Sequence, residues 1–413
     1  MTEIVMARGQ SLSLGPNMGA LASPAGTRWR DVYDGTAYPR AGYLTGLQRA
    51  DGQAIASVAN PLLLGYDRTV PAAAIAPMAV LTSLPVGAVI AAGLIRDGLA
   101  QETLFQFHDA GGQSIENLDS DPATGSNGTT LYDNAEYWLA EAVRLLRAAG
   151  REPVVRRIHL NQGEADVAWP AGRWAAAAGL ALDQMTEQVL RLTGQAAAPR
   201  LFLEQTGGYM MNTNINRHRC KLDQLALLRQ RSGILTTPLY PYKVDNADGK
   251  GVHKTAEAHL ELCETILWAI AETAAGRDWN ILPPLSAARA GDSIIIPMTM
   301  PPGETLTQEP AGKYAAYGGD PAHLGLEALG GGSIVSVALS GQSITLAVSG
   351  PVTALRYAMQ ETATDYRMLT DAAKQGYTAH RGMLRSDRTR AVTTGGLELT
   401  LKRWLPSFEV AVA

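Results

Sequence analysis

The stretch Glu3-Ile4-Val5-Met6-Ala7-Arg8-Gly9-Gln10-Ser11 decides how the rest of the chain is read. The apolar run over Glu3–Arg8 predicts a β-strand, and Ser11 follows it closely, ahead of a Gly/Pro-rich loop. Runs of the same kind recur at Thr103–His108, Val154–Asn161, Leu201–Gln205 and Ser232–Thr236. Helical patterns lie between and after them, over Ala135–Ala149, Trp169–Thr193, Asn214–Arg231 and Lys254–Ala275. The last carries Ala258, Leu262, Thr265, Ile266 and Ala269 along one stripe. Strands alternating with helices predict a parallel sheet built from right-handed crossovers, with helices on both faces. In such a sheet ligands bind beyond the carboxyl ends of the strands, which puts Ser11 at the reactive edge. Residues 25–100 hold more loop than a minimal unit needs and are expected to form an insertion that walls a cleft.

Composition sets the outer limits. The chain has 413 residues, 46% hydrophobic and 18% charged, enough apolar material for a sizeable core and, by length, for two domains. Lys plus Arg is 35 against 39 for Asp plus Glu, and a net charge of −4 argues against a general nucleic-acid binder. Cys220 and Cys263 are the only cysteines, and neither has a metal-ligand spacing. With no HExxH among the histidines, a disulfide framework is excluded and neither a metal nor a cofactor is expected. The most apolar stretch, about 70–95, is broken by Pro71, Pro77 and Pro85, so no membrane span is expected. The first residues lack a basic segment followed by an apolar run. A cytoplasmic location is therefore expected, with release inside a phage-like particle as the alternative.

Past Pro283-Pro284 the pattern changes to short strand-like runs at Ser293–Met298, Ser333–Leu339, Ser343–Val348, Ala354–Ala358 and Leu397–Leu401. Strands so spaced without helices predict a β-sandwich. The expected division is 1–280 and 281–413.

Four segments could carry chemistry. Gly-Gln-Ser occurs at Gly9–Ser11, Gly112–Ser114 and Gly341–Ser343. Ser343 sits between two strand runs of the tail and reads as a hairpin turn. Ser114 ends His108-Asp109-Ala110-Gly111-Gly112-Gln113-Ser114, where paired glycines after a strand let a backbone N–H face a ligand. The third segment is Asn161-Gln162-Gly163-Glu164-Ala165-Asp166, whose amide side chain at a strand end can donate to an oxyanion. The fourth runs from Asp245 through Asp248 to His253, just before a helix. A serine hydroxyl needs an imidazole to take its proton, and the imidazole needs a carboxylate to fix its tautomer. His259 is a rival base inside the helix.

In this order the four segments resemble the SGNH hydrolases, in particular the sialate O-acetylesterase-like and acetylxylan-esterase-like carbohydrate esterases. That family's blocks read GQS, GG-x-S-I, Q-G-E-S-D and D-x-x-H. Here they stand as Gly9-Gln10-Ser11, Gly111-Gly112-Gln113-Ser114-Ile115, Gln162-Gly163-Glu164-Ala165-Asp166 and the segment ending at His253. The likeness covers about residues 3–275, and Val352–Ala358 is similar to a strand of the β-domain that often follows. It implies a three-layer, flavodoxin-like parallel sheet with a C-terminal β-sandwich. It implies Ser11 as nucleophile and His253 as general base. The oxyanion hole would be the backbone N–H of Ser11, that of Gly112 and the amide of Gln162. Glu164 and Asp166 would shape the loop. Lys250 stands three before His253 where the family has Asp, which leaves Asp248 as orienter and Asp245 as fallback. Leu12-Ser13 replaces the family's Asn-Met, which occurs later at Asn17-Met18.

The implied partner is an acetylated oligo- or polysaccharide, with no nucleic acid and no membrane, and with a homo-oligomer or particle assembly left open. The alternative is a glycan-binding spike or tail-fibre module on an esterase scaffold with little turnover. Trp404 is the only tryptophan after residue 280, so no aromatic sugar platform is expected in the tail.

Overall fold

The computed structural model describes residues 1–10, 12, 26, 32–33, 36–48, 66–78, 84–107, 111–121, 128–207, 219–245, 251–317, 319–359, 375–378 and 380–413. Its first sheet contains β1 (Thr2–Gly9), β2 (Ala41–Thr45), β3 (Ala74–Pro77), β4 (Thr103–Phe107), β5 (Pro153–Val154), β6 (Arg157–Asn161), β7 (Arg200–Gln205) and β8 (Ile234–Pro238). The strand order is β3-β2-β4-β1-β6-β7-β8, with β5 paired to β1. Every neighbouring pair from β4 to β8 is parallel. Taken in chain order, β4-β1-β6-β7-β8 is the doubly wound 2-1-3-4-5 arrangement, whose direction reverses between β1 and β6.

Alternation along the strands explains the layers. Ile4, Met6, Leu104, Ile158, Leu160, Leu201 and Leu203 face one way, against α2 (Gly128–Ala148), α3 (Arg173–Thr193) and α4 (Arg219–Arg231). Val5, Phe105, Phe202 and Ile234 face the other, against α1 (Val86–Arg96) and α5 (Ala256–Ala274). β1 is central and buried throughout, as a parallel strand covered on both sides must be. It tolerates Glu3 because Arg156 (2.9 Å) and Arg157 both pair with that carboxylate.

The chain is thus an α/β protein, and a β-rich part follows. After α5 come β11 (Ser286–Ala290), β12 (Ser293–Pro297), β13 (Leu306–Gln308), β14 (Leu326–Leu329), β15 (Ser333–Ser340), β16 (Ser343–Ser349) and β17 (Ala354–Tyr357). β18 (Gln375–Gly376), β19 (Leu384–Thr394), β20 (Leu397–Trp404) and β21 (Phe408–Val412) complete the set. They build a seven-stranded sheet, β14-β17-β21-β11-β12-β16-β15, and a three-stranded one, β13-β19-β20. A third small sheet crosses between the two parts. Its order is β10-β9-β18, where β9 is Val244–Asp245 and β10 is His253–Lys254. Among the described residues no helix is long and apolar enough to cross a membrane.

The largest departure from the sequence reading lies within residues 25–100. Val86–Arg96 is not part of a loop but a helix at the centre of one layer, buried from Val86 through Leu94. Pro85 sits at its N-cap in extended geometry instead of breaking it. The helix packs closely on both sides through glycine. A Cβ on Gly87 would lie 3.0 Å from the Gln106 carbonyl, and one on Gly93 would lie 2.2 Å from a methyl of Leu267 on α5. Because Leu267 is itself fully buried, it has little room to yield. Gly93→Val should therefore destabilise the protein by about 1–3 kcal/mol through overpacking. Urea denaturation would measure it, and an unchanged midpoint would refute this account of the α1–α5 contact.

Candidate active site

The carboxyl ends of β1 and β6 lie side by side, with Gly9 opposite Asn161 and the Gln10 N–H donating to the Asn161 carbonyl at 3.3 Å. Ser11 and Asp248 lie outside the described residues. Gln10, which precedes Ser11, is described, as are Asp245 and His253 of the fourth segment.

Glu164 is the joint. Its buried carboxylate accepts from Gln10 Nε2 at 2.7 Å and from the Thr206 hydroxyl at 2.6 Å. The first segment is thereby bolted to the third across 154 residues of sequence. Two buried ammonium groups, Lys221 and Lys254, lie in the field of the same carboxylate. Lys254 directly follows His253, so the fourth segment lies within the electrostatic reach of Glu164.

Asp166 joins the second segment to the third. It accepts from the Ile115 N–H at 2.8 Å, from Gln162 Nε2 at 2.6 Å and from the Ser114 hydroxyl. Burial nonetheless raises its pKa above the ordinary carboxylate value. Gln162 Oε1 accepts from the indole N–H of Trp174 at 2.6 Å, which fixes which end of the amide is the donor. Trp174 is placed by Asp223 of α4, which caps the start of α3 by accepting from the N–H groups of Gly172 (2.8 Å) and Trp174 (3.1 Å). The other Gln162 amide proton goes to the Gln113 carbonyl at 3.2 Å. Gly163 has φ +153°, and a Cβ there would lie within 3.1 Å of Cys220 and Thr206, so only glycine fits the turn. Gly112 takes φ +73° at the tip of the second segment.

His253 stands directly across from Asp245 in the β9–β10 ladder. Opposed residues in an antiparallel pair project to the same face with Cβ atoms about 4.5–5.5 Å apart. In the sequence Asp245 stood only as the fallback to Asp248, because the eight-residue separation does not reveal the register of the hairpin. His259 lies on α5, buried, with Nε2 3.6 Å from Cys263 Sγ, and burial lowers its pKa to about 4. Cys220 and Cys263 are both buried and free. Among the described residues no cluster of His, Cys, Asp or Glu could hold a metal ion.

The doubly wound class is thus defined by geometry, with hydrogen-bonded polar side chains gathered by its switch point. No family model and no curated protein sequence matches the chain. Among solved structures, it is similar to a carbohydrate acetylesterase from Xanthomonas citri, with TM-score 0.60 and 13% identity over 99% of this chain and 80% of that one. Looser likenesses reach a protein from Arabidopsis thaliana (TM-score 0.40, 15% identity, 66% of this chain and 98% of that one) and NanS (0.41, 12%, 67% and 98%). The first likeness establishes the shared fold across both parts of the chain.

Burial lowers the pKa of Lys221 to about 7 and of Lys254 to about 8, from 10.5. A lysine depressed in the folded state contributes stability that is complete above its unfolded pKa and is lost as pH falls through the folded one. Buried Glu204 works the other way: burial raises it to about 8, so its contribution is lost as pH rises through that value. Buried tyrosines such as Tyr66 and Tyr240, held above their ordinary value of 10.0, begin to oppose only near that pH. Each lysine should therefore contribute a rise of up to about 1.4 kcal/mol per pH unit between about pH 8 and 9.5, against which the buried thiols of Cys220 and Cys263, held well above their ordinary value of 9.0, pull in the upper part of the window. Lys221→Met should flatten that rise in urea melts across the window. An identical slope in the variant would contradict the assignment.

Proposed function

We propose that the protein is a serine esterase that removes O-acetyl or similar short acyl groups from a carbohydrate. One observation carries the reading. Gln10, which precedes Ser11 in the sequence, donates to the buried carboxylate of Glu164 at 2.7 Å by the β1/β6 switch point, and Lys254, which follows His253, lies in the field of that carboxylate. The carbohydrate acetylesterase from Xanthomonas citri, which has the same architecture, supports it at the level of fold.

In this reading the Ser11 hydroxyl attacks the acyl carbonyl while His253 takes its proton. The tetrahedral oxyanion is held by backbone N–H groups of Ser11 and Gly112. Gln162 can join them only by releasing its 3.2 Å bond to the Gln113 carbonyl. As the carbonyl re-forms, the bond to the sugar oxygen breaks and His253 returns the proton to it. Water, activated by the same imidazole, then cleaves the acyl-serine to give the free acid. The ladder register favours Asp245 over Asp248 as the carboxylate that orients His253. The commitment of both Gln162 amide protons favours a second reading, a glycan-binding module with little turnover, and the same assay separates the two.

Hydrolysis of p-nitrophenyl acetate should fall by on the order of 10³ or more in Ser11→Ala and in His253→Ala, with the folded state retained. Asp245→Asn should cost far more than Asp248→Asn. Undiminished turnover in Ser11→Ala would overturn the esterase reading, and the reverse order of the two Asp variants would overturn the choice of orienter.

A further inference from the structure

The strands that border the four sheets are protected, with one exception. β3 is four residues long and ends in Pro77, and β8 is buried throughout and ends in Pro238. β13 has three residues, and β5, β10 and β18 have two each. β14 has four and carries Glu327, and β20 carries Glu398, Lys402 and Arg403. Shortness, proline, charge and burial each keep a sheet edge from pairing with another chain. β15 has none of them. It ends the seven-stranded sheet, runs for eight residues from Ser333 to Ser340, and holds neither a proline nor a charge. Its neighbour β16 is also uncharged over seven residues, in a chain that is 18% charged.

The register shows what this edge presents. β15 and β16 are joined by the two-residue turn Gly341-Gln342, in which Gly341 has φ +55°. The closing pair Ser340–Ser343 of such a hairpin is hydrogen-bonded. Alternation along an antiparallel ladder then points the N–H and C=O groups of Leu339 and Val337 away from β16. Among the described residues no backbone hydrogen bond from another element reaches either of them. The ladder is irregular at Val335, between Ile334 and Ser336, so the regular part of the edge is Ser336–Ser340. Val337 and Leu339 are half-buried and pack against the core, whereas Ser336, Ala338 and Ser340 are exposed. Val335 beside them is 63% exposed.

We propose that β15 is the contact of a two-fold dimer, in which a second copy of this chain adds its own β15 antiparallel to this edge. About an axis through Ala338 the five regular residues complement themselves. Val337 meets Leu339 of the partner subunit, Leu339 meets the partner's Val337, and each pair exchanges two N–H···O bonds. These apolar pairs continue the core face of one sheet into the next. On the outer face Ala338 lies against its own copy, where opposed Cα atoms approach to about 4.5 Å, and each Ser336 faces the partner's Ser340. The small side chains permit that approach, and no like charges are opposed along the pairing. An edge of outward N–H and C=O groups is completed by another extended backbone, which selects a strand as the occupant. The contact is isologous and closes at two copies. It requires nothing of the esterase reading.

Sedimentation velocity on the full chain over roughly 1–300 µM tests it. A pairing of five residues is smaller than the about 800 Å² per partner of a standard interface, so the dimer should exchange with monomer, with a Kd in the micromolar range. The parent protein should therefore move from 43.8 kDa toward twice that mass across the range. Ala338→Arg changes an exposed position, puts two like charges together at the axis, and should weaken association by about tenfold or more. Two double variants read the register. Ser336→Lys with Ser340→Lys should abolish the dimer. Ser336→Lys with Ser340→Glu sets opposite charges across each pair and should retain or tighten it. A parent protein that stays at 43.8 kDa at the highest concentration would overturn the proposal. So would a dimer that Ala338→Arg leaves intact, or two double variants that associate alike.

Discussion

The buried carboxylate of Glu164 is the interaction on which the site's geometry depends. It accepts hydrogen bonds from Gln10 and Thr206 and lies in the field of the Lys221 and Lys254 ammonium groups. Charge-assisted hydrogen bonds of this kind contribute about 1.5–3 kcal/mol each, and an orphaned partner costs as much again. No apolar residue could replace Glu164 without stranding the Gln10 amide and leaving two buried ammonium groups unbalanced. The constraint explains why the segments meet. Each strand end contributes one polar group to a shared centre, and the backbone that follows each group inherits its position.

A second tie runs from the β-rich part to the same edge of the sheet. Gln205, the last residue of β7, donates to the Ser407 carbonyl at 2.9 Å and accepts the Ser407 N–H at 2.7 Å. The next residue, Thr206, is the one that reaches Glu164. Tyr240 donates to the Leu405 carbonyl, and Lys221 donates to that of Ala358. Arg403 of β20, ion-paired with Glu304 at 2.6 Å, stacks 4.0 Å over Trp279, whose indole N–H donates to the Leu235 and Thr236 carbonyls of β8. The β-rich part is therefore a wall of the site's foundation, and β18 adds a strand to the ribbon that carries His253.

The strands β1, β4, β6, β7 and β8 and four of the helices were legible because each is amphipathic or bounded by turn residues, whereas β2, parallel to β4, and β3 lie in the stretch read as an insertion. The helix Val86–Arg96 was not, since a helix buried on every side has no polar stripe to give it a period. Pro85 at its N-cap looked like a breaker for the same reason. β19 was missed for the opposite cause: Arg385, Asp387, Arg388 and Arg390 make it read as a charged loop, although it pairs along β20. The run Val154–Asn161 forms two short strands, because the chain leaves the β1 edge at Val154 and rejoins it from Arg157. Of the site, the four segments were legible as motifs. The bonds of Glu164 to Gln10 and Thr206 and of Asp166 to the Ile115 N–H were not, because those partners lie 42 to 154 residues away and no local pattern encodes them.

The distribution of donors follows from how each segment is held. Gln162 is clamped by Trp174 on its oxygen and by Asp166 on its nitrogen, and α3 and α4 fix both clamps. Such an amide serves first as a strut, keeping the second segment against the third. The Gln113 side chain, held by Asn117 at 2.6 Å, and the Ser114 cap on the turn at Ile115–Leu118 fix the second segment from its far side. What this bracing leaves available at the tip is backbone: Gly112 sits at positive φ with open space where a side chain would be. Backbone N–H groups cannot rotate away from a developing charge, whereas an amide side chain must first break a bond to reach it. For the proposed esterase, a hole built mainly from backbone would therefore form without reorganisation, whereas one that used Gln162 would first lose its bond to the Gln113 carbonyl.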